Sequence, residues 1–315
     1  MRSTFATVGA AVLIATSAVL MTACNDKTGT PVPTTSVSVA PQGAGQPGGT
    51  KPGGVDTRAF LRAIGKTGWY EGFEITIDQA TVTADGFGGA KIRVDITYKN
   101  TTTANKTLAV VPAVQIGGAI DGGAGWNSPE VPGKGSATGD ITASVKSYDT
   151  PEHLLDTITI LYGSAAENQT KFPLKADAKV ESIAPRTLNV TGKLTQDQTT
   201  VEITGATLTP SYTKNEAGKM ELALKFKLVG GSGIGDGGLN VFSEYFTVKA
   251  PGGQDVVDDQ LRGFIDELLG RNQTIDKSDL QAVFVVPAPA TGNYTLSYDA
   301  TKGKNAVPTF SFTVS

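Results

Sequence analysis

From residue 73 onward, apolar and polar residues alternate with a period of two. Phe73-Glu74-Ile75-Thr76-Ile77 and Ile92-Arg93-Val94-Asp95-Ile96-Thr97-Tyr98 place an apolar side chain at every second position. Successive side chains of an extended strand point to opposite faces, so this pattern predicts strands with one buried and one wet face. Between them, Asp85-Gly86-Phe87-Gly88-Gly89 supplies glycines for a turn at positive φ. The same reading places strands at 108–111, 141–145, 155–162, 171–174, 239–248, 282–286, 294–298 and 310–314.

The pattern occurs twice. Ile77-Asp78-Gln79-Ala80-Thr81-Val82-Thr83 matches Ile203-Thr204-Gly205-Ala206-Thr207-Leu208-Thr209 in its apolar positions at an offset of 126. Ile92, Val94, Ile96 and Tyr98 find counterparts in Leu222, Leu224, Phe226 and Leu228. Sheets with one apolar face must pair to hide it, so the expectation is an all-β chain of two tandem β-sandwich domains, 57–180 and 185–315. One stretch departs from the period. Val257, Leu261, Phe264, Ile265 and Leu268 recur at helical spacing within 255–269, with Asp255 available as N-cap and Gly270 as a stop. This predicts a helix inserted in the second domain, whose outer face carries Asp258, Asp259, Asp266 and Glu267. Those four residues, with Trp126 in the polar, glycine-rich stretch 122–135, are the candidate interaction surface.

Ahead of the alternating region lie two segments of other character. Arg2 precedes an uncharged, small-and-apolar run from Val8 to Met21, which ends at Cys24. A basic start, a greasy middle and a small-residue end describe a secretory signal, with a transmembrane helix as the competing reading. Leu20-Met21-Thr22-Ala23-Cys24 resembles the bacterial lipobox, which implies a signal peptide over 1–23 and acyl chains on Cys24. Several acyl chains hold a protein at a bilayer stably where one does so only marginally. Residues 24–56 are rich in Pro, Gly and Thr and too poor in apolar surface to offset the entropy of ordering, so a flexible linker is expected there.

The lead-in Gly65-Lys66-Thr67-Gly68-Trp69-Tyr70-Glu71-Gly72, the strand that follows, and the strand 92–98 running into Asn100 resemble the immunoprotective extracellular family of mycobacterial secreted antigens. The resemblance implies immunoglobulin-like sandwiches on a bacterial surface lipoprotein. It brings no catalytic residues with it.

Composition narrows the chemistry. With 27 basic and 30 acidic residues the formal charge is −3, too small a surplus to suggest a nucleic-acid partner. One cysteine and one histidine exclude an internal disulfide and a Cys/His metal site. His153 reads as an exposed turn residue, and no Gly-x-Ser-x-Gly elbow accompanies it. Asp255, Asp258 and Asp259 lack the twelve-residue loop of a calcium site. The expectation is therefore a non-enzymatic module without cofactor. It would be held at the extracytoplasmic face of the cell membrane through lipidated Cys24 and bind an envelope or extracellular protein. A lipoprotein binding a small ligand (lipid, cell-wall fragment or metal) is the alternative.

Overall fold

Strands Phe73–Ala84 and Ala90–Asn100 pair antiparallel, and their inward positions are almost wholly inaccessible: Phe73, Ile75 and Ile77 on one, Ile92, Val94, Ile96 and Tyr98 on the other. Burial on the first strand resumes at Ala80 and Val82, a change of parity. The cause is a register shift between Ile77 and Gln79, where one extra residue bends the strand. Ahead of it, Ala59–Tyr70 joins Phe73–Ala84 through a two-residue loop. Glu71 at φ 45° and Gly72 at φ 80° give this loop the left-handed backbone conformation at both positions that lets a tight turn match the right-handed twist of its strands.

A computed structural model describes residues 59–315; the expected signal segment, Cys24 and the whole linker lie outside the described residues. The described residues form an all-β fold of several small antiparallel sheets, with a short α-helix, Pro151–Asp156, and a single 3-10 turn, Ser243–Tyr245. In the first half the sheet order is Ala59–Tyr70, Phe73–Ala84, Ala90–Asn100, Ser136–Val145, Gly125–Asn127. A four-stranded sheet follows the order Thr170–Pro173, Ile158–Tyr162, Ala113–Ile116, Ala119–Asp121. Side chains from both sheets, including Tyr70, Ile75, Ile96, Ile160, Tyr162 and Phe172, share one core.

The second half repeats this connectivity down to its irregularities. Thr199–Pro210 pairs with Lys219–Gly230, and its register shifts between Ile203 and Gly205, again 126 residues from the first bulge. The four-stranded sheet runs Thr309–Val314, Gly292–Tyr298, Phe246–Lys249, Asp255–Val257, the same order of connections. A second core contains Leu222, Phe226, Phe246, Phe284 and Tyr298. Both cores lie within one compact unit. Where they adjoin, the Tyr70 and Tyr212 rings pack 4.5 Å apart, and the Asn168 amide donates to the carbonyls of Ser211 and Lys219, each at 2.7 Å.

Three sequence expectations need correction. The helix over 255–269 does not form: Asp255–Val257 and Asp266–Leu269 are strands, and a turn joins them. Asp258, Asp259, Asp266 and Glu267 therefore share no helix face. Val256-Val257 and Asp258-Asp259 are poor helix formers, the first pair for rotamer restriction and the second because their carboxylates compete for backbone N–H groups. Strand pairing of Asp266–Leu269 with Leu239–Phe242 then supplies backbone partners that a helix would forgo. The strand expected at 155–162 begins at Ile158, because Thr150 caps and Pro151 starts a short helix. The strand expected at 108–111 is displaced to Ala113–Ile116, although Leu108 is buried.

Candidate interaction surface

The segment that departs from the predicted helix is the most distinctive surface of the fold. After Val257 the chain crosses to the edge of strand Gln281–Pro287. There the Asp259 N–H donates to the Val283 carbonyl at 2.8 Å, and the Val283 N–H donates to Asp258 Oδ1 at 2.5 Å. The Asp259 carbonyl accepts from the N–H groups of Arg262 and Gly263, closing a turn. Gly263 lies so close to the strand that a Cβ there would stand 2.7 Å from the Gln281 carbonyl oxygen. On the far side, the Ile265 N–H donates to Ser243 Oγ at 2.8 Å while the Ser243 N–H donates to the Ile265 carbonyl at 2.9 Å. The turn is clamped at both ends.

Arg262 fixes its middle. The side chain is turned inward, and its guanidinium meets Glu216 at 2.8 Å, Glu221 at 3.3 Å and Asp259 at 2.9 Å, with Thr213 Oγ1 accepting a further bond at 2.6 Å. Its neighbours on either side of Gly263 go the other way: Leu261 is 98% exposed and Phe264 is 64% exposed. Val257 and Leu268, at the turn's two shoulders, are exposed as well. A single exposed leucine needs no explanation, but several large apolar residues grouped on one ordered turn do. Beside Phe264 a shallow cleft of about 250 Å³ is lined by Phe242, Ser243, Glu244, Gln260 and Ile265.

The segment itself is rich in carboxylates, and lysines around it answer part of that charge: Lys249 lies 4.0 Å from Asp255, Lys277 2.6 Å from Glu267 and Lys302 3.4 Å from Glu244 in the cleft. Within 255–269 five carboxylates stand against one cation, Arg262, whose charge is already matched. Asp258 is the most buried of the five, 7% exposed, and its Oδ2 has no hydrogen-bond partner among the described residues. Burial pushes its carboxyl up to about 6, against the opposing pull of the Val283 N–H.

The remaining predicted residues are scattered. Asp266 is exposed, whereas Glu267 accepts from Lys277 Nζ at 2.6 Å. Trp126 is 50% exposed on the other half, opposite Ile141 in the edge strand Gly125–Asn127. The duplicated topology relates the two places. Gly125 pairs with Thr142, Thr142 faces Arg93, and the counterpart of that pair is Val283 facing Ala223. Trp126 and the turn thus occupy the same sheet edge in the two halves, each presenting an apolar side chain to solvent. The sequence offered Trp126 as a surface candidate, which the fold leaves 50% exposed, and it placed Leu261 and Phe264 on the apolar face of a helix. The signal against that assignment is Gly263, which lies between them after Arg262 and is suited to a close approach of two backbones.

The seam between the cores forms a second cleft, about 450 Å³, lined by Glu71, Gly72, Lys106, Tyr212 and Glu221 among others. Burial raises both carboxyls above the usual range, opposed by Lys106 at Glu71 and by Arg262 at Glu221. Lys106 Nζ donates to the Glu71 carbonyl at 2.6 Å. His153, on the short helix, is exposed, with Nδ1 2.5 Å from Asp149 Oδ2 just ahead of that helix. Asp85 accepts from the Phe87 and Gly89 N–H groups, so its glycine-rich loop is an ordinary turn. Among the described residues no cluster of His, Cys, Asp and Glu is disposed to hold a metal, and no helix is long and apolar enough to cross a membrane. No family model, curated protein or solved structure matches the chain.

Proposed function

We propose that this chain is a lipid-anchored, extracytoplasmic protein-interaction module: two immunoglobulin-like sandwiches carried on a flexible linker from acylated Cys24. The observation that carries the reading is the placement of Leu261 and Phe264 in water on a turn fixed from both sides. Fixing an apolar anchor before binding removes much of the ordering cost of association, and anchors of this kind dominate interface energetics. The lipobox-like sequence at Cys24 and the linker composition support the address.

Two experiments test the two parts. Cys24→Ala should move the protein from the membrane pellet to the soluble fraction; retention in the pellet after a high-salt wash contradicts lipid anchoring. The soluble Cys24→Ala chain should bind intact envelopes saturably, and protease treatment of the envelope surface should abolish that binding. Undiminished binding to protease-treated envelopes means that the ligand is not a protein. The small-ligand reading draws on the seam cleft with its partly desolvated Glu71 and Glu221. It predicts heat release on titration with a purified cell-wall fragment, lost in Glu221→Gln.

A further inference from the structure

Apart from the turn and from the seam cleft, we infer that the outer face of the first sheet is a groove for a neutral oligosaccharide chain. Strands Phe73–Ala84, Ala90–Asn100 and Ser136–Val145 turn their polar sides out there, and two adjoining depressions of about 410 Å³ each meet at Arg93. Hydrogen bonds hold the floor between them. Arg93 Nε donates to Asp95 Oδ1 at 2.7 Å, and the Gln79 amide donates to Asp95 Oδ2 at 2.9 Å. The same guanidinium stands 3.7 Å from Asp140, and Thr97 Oγ1 donates to Asp78 Oδ2 at 2.8 Å. Planar groups fixed in advance, with lone pairs and N–H bonds to spare, suit a ligand rich in hydroxyls, each of which donates and accepts.

The fold itself does not require this network. Strand pairing and the two bulges equate Gln79, Arg93, Asp95 and Asp140 with Gly205, Ala223, Lys225 and Gln281 in the second half. The same sheet therefore forms there without any of the four, and ion pairs open to water add little to stability. The lining then chooses among occupants. Lys91 and Arg93 stand against Asp78, Asp95 and Asp140, so neither a polyanion nor a polycation gains from the face. Ile92 and Ile96 border it, but their side chains lie in the core, which leaves no apolar anchor for an acyl chain. All three strands are paired along both edges, so an extended peptide finds no free main chain. A chain of neutral sugars needs none of these and matches the mixed donors and acceptors. Because such a groove trades its hydrogen bonds with water, it binds one chain with a Kd on the order of 1 mM, too weakly to register in the saturable binding to envelopes.

The test is heteronuclear NMR of the full Cys24→Ala chain, titrated to about 10 mM, well above the expected Kd, with each of a set of neutral sugars. The set holds hexasaccharides of glucose, mannose, galactose, arabinose and N-acetylglucosamine, and neutral oligosaccharides hydrolysed from the cell's own envelope. At least one should shift amide resonances within 78–97 and 138–144 saturably, and equally at low and high salt. Arg93→Ala, which installs the residue of the second half, should weaken that binding about fivefold. Gln79→Gly, drawn from the second half in the same way, is the second variant, and circular dichroism checks that each keeps its fold. Glu221→Gln, in the seam cleft, should leave the binding unchanged. No shift from any of these sugars overturns the inference. So does a shift indifferent to both groove variants, or one that Glu221→Gln abolishes. The protein-binding reading rests on Leu261 and Phe264 and stands or falls separately.

Discussion

Asp258 shows how little a residue's place can be judged from its letter. Asp258 and Asp259 are adjacent and were expected side by side on a solvent face, yet one is buried against Val283 and the other is paired with Arg262. Folding raises the Asp258 carboxyl from about 3.8 to about 6, so the folded state holds this proton more tightly than the unfolded chain. Its contribution to stability is therefore complete below about 3.8 and is lost as the pH rises through about 6. Asp258→Asn keeps an oxygen for the Val283 N–H and removes the buried charge. It should stabilise the protein by on the order of 2 to 3 kcal/mol at pH 8 and hardly at all at pH 4. Urea melts at the two pH values measure this, and an equal effect at both contradicts a buried, titrating carboxyl. No periodicity signals such an environment, because it arises from a strand edge 25 residues further along the chain.

At the scale of elements, period two was a sound guide wherever one face of a sheet is buried. Even the bulges leave a trace, since burial passes from Ile77 to Ala80 and, 126 residues later, from Ile203 to Ala206. Periodicity misled over 255–269, where apolar residues are spaced as a helix would space them for a different reason: of the five only Ile265 enters the core, while Val257, Leu261, Phe264 and Leu268 face water. Gly263 separates the two accounts cleanly. In a helix, Gly263→Ala would stabilise by about 1 kcal/mol. In the turn, the added methyl meets the Gln281 carbonyl at 2.7 Å and Val283 Cγ2 at 2.9 Å, so the substitution should destabilise by roughly 1 to 3 kcal/mol. A thermal melt of this one variant decides the sign, and a gain in stability returns the segment to the helix.

Across the whole molecule, the repeat legible in one heptad and one strand extends to strand order, bulge position and edge. The first half keeps Ser136–Val145 continuous, whereas the second breaks the equivalent edge into Thr274–Ile275 and Gln281–Pro287 and lays the turn 258–263 beside it. The same edge thus bears Trp126 in one copy and Leu261 with Phe264 in the other, a division of surfaces invisible to a pattern that scores apolar residues as core. The account depends on that second edge being a recognition element. The most direct measurement is saturation binding of the Cys24→Ala chain to intact envelopes, compared with the same chain carrying Leu261→Ser and Phe264→Ser. With both side chains already in water, the melting temperature should stay unchanged while the apparent Kd rises by about tenfold or more, the loss expected for two interface anchors. An unaltered isotherm from the folded double variant contradicts the account.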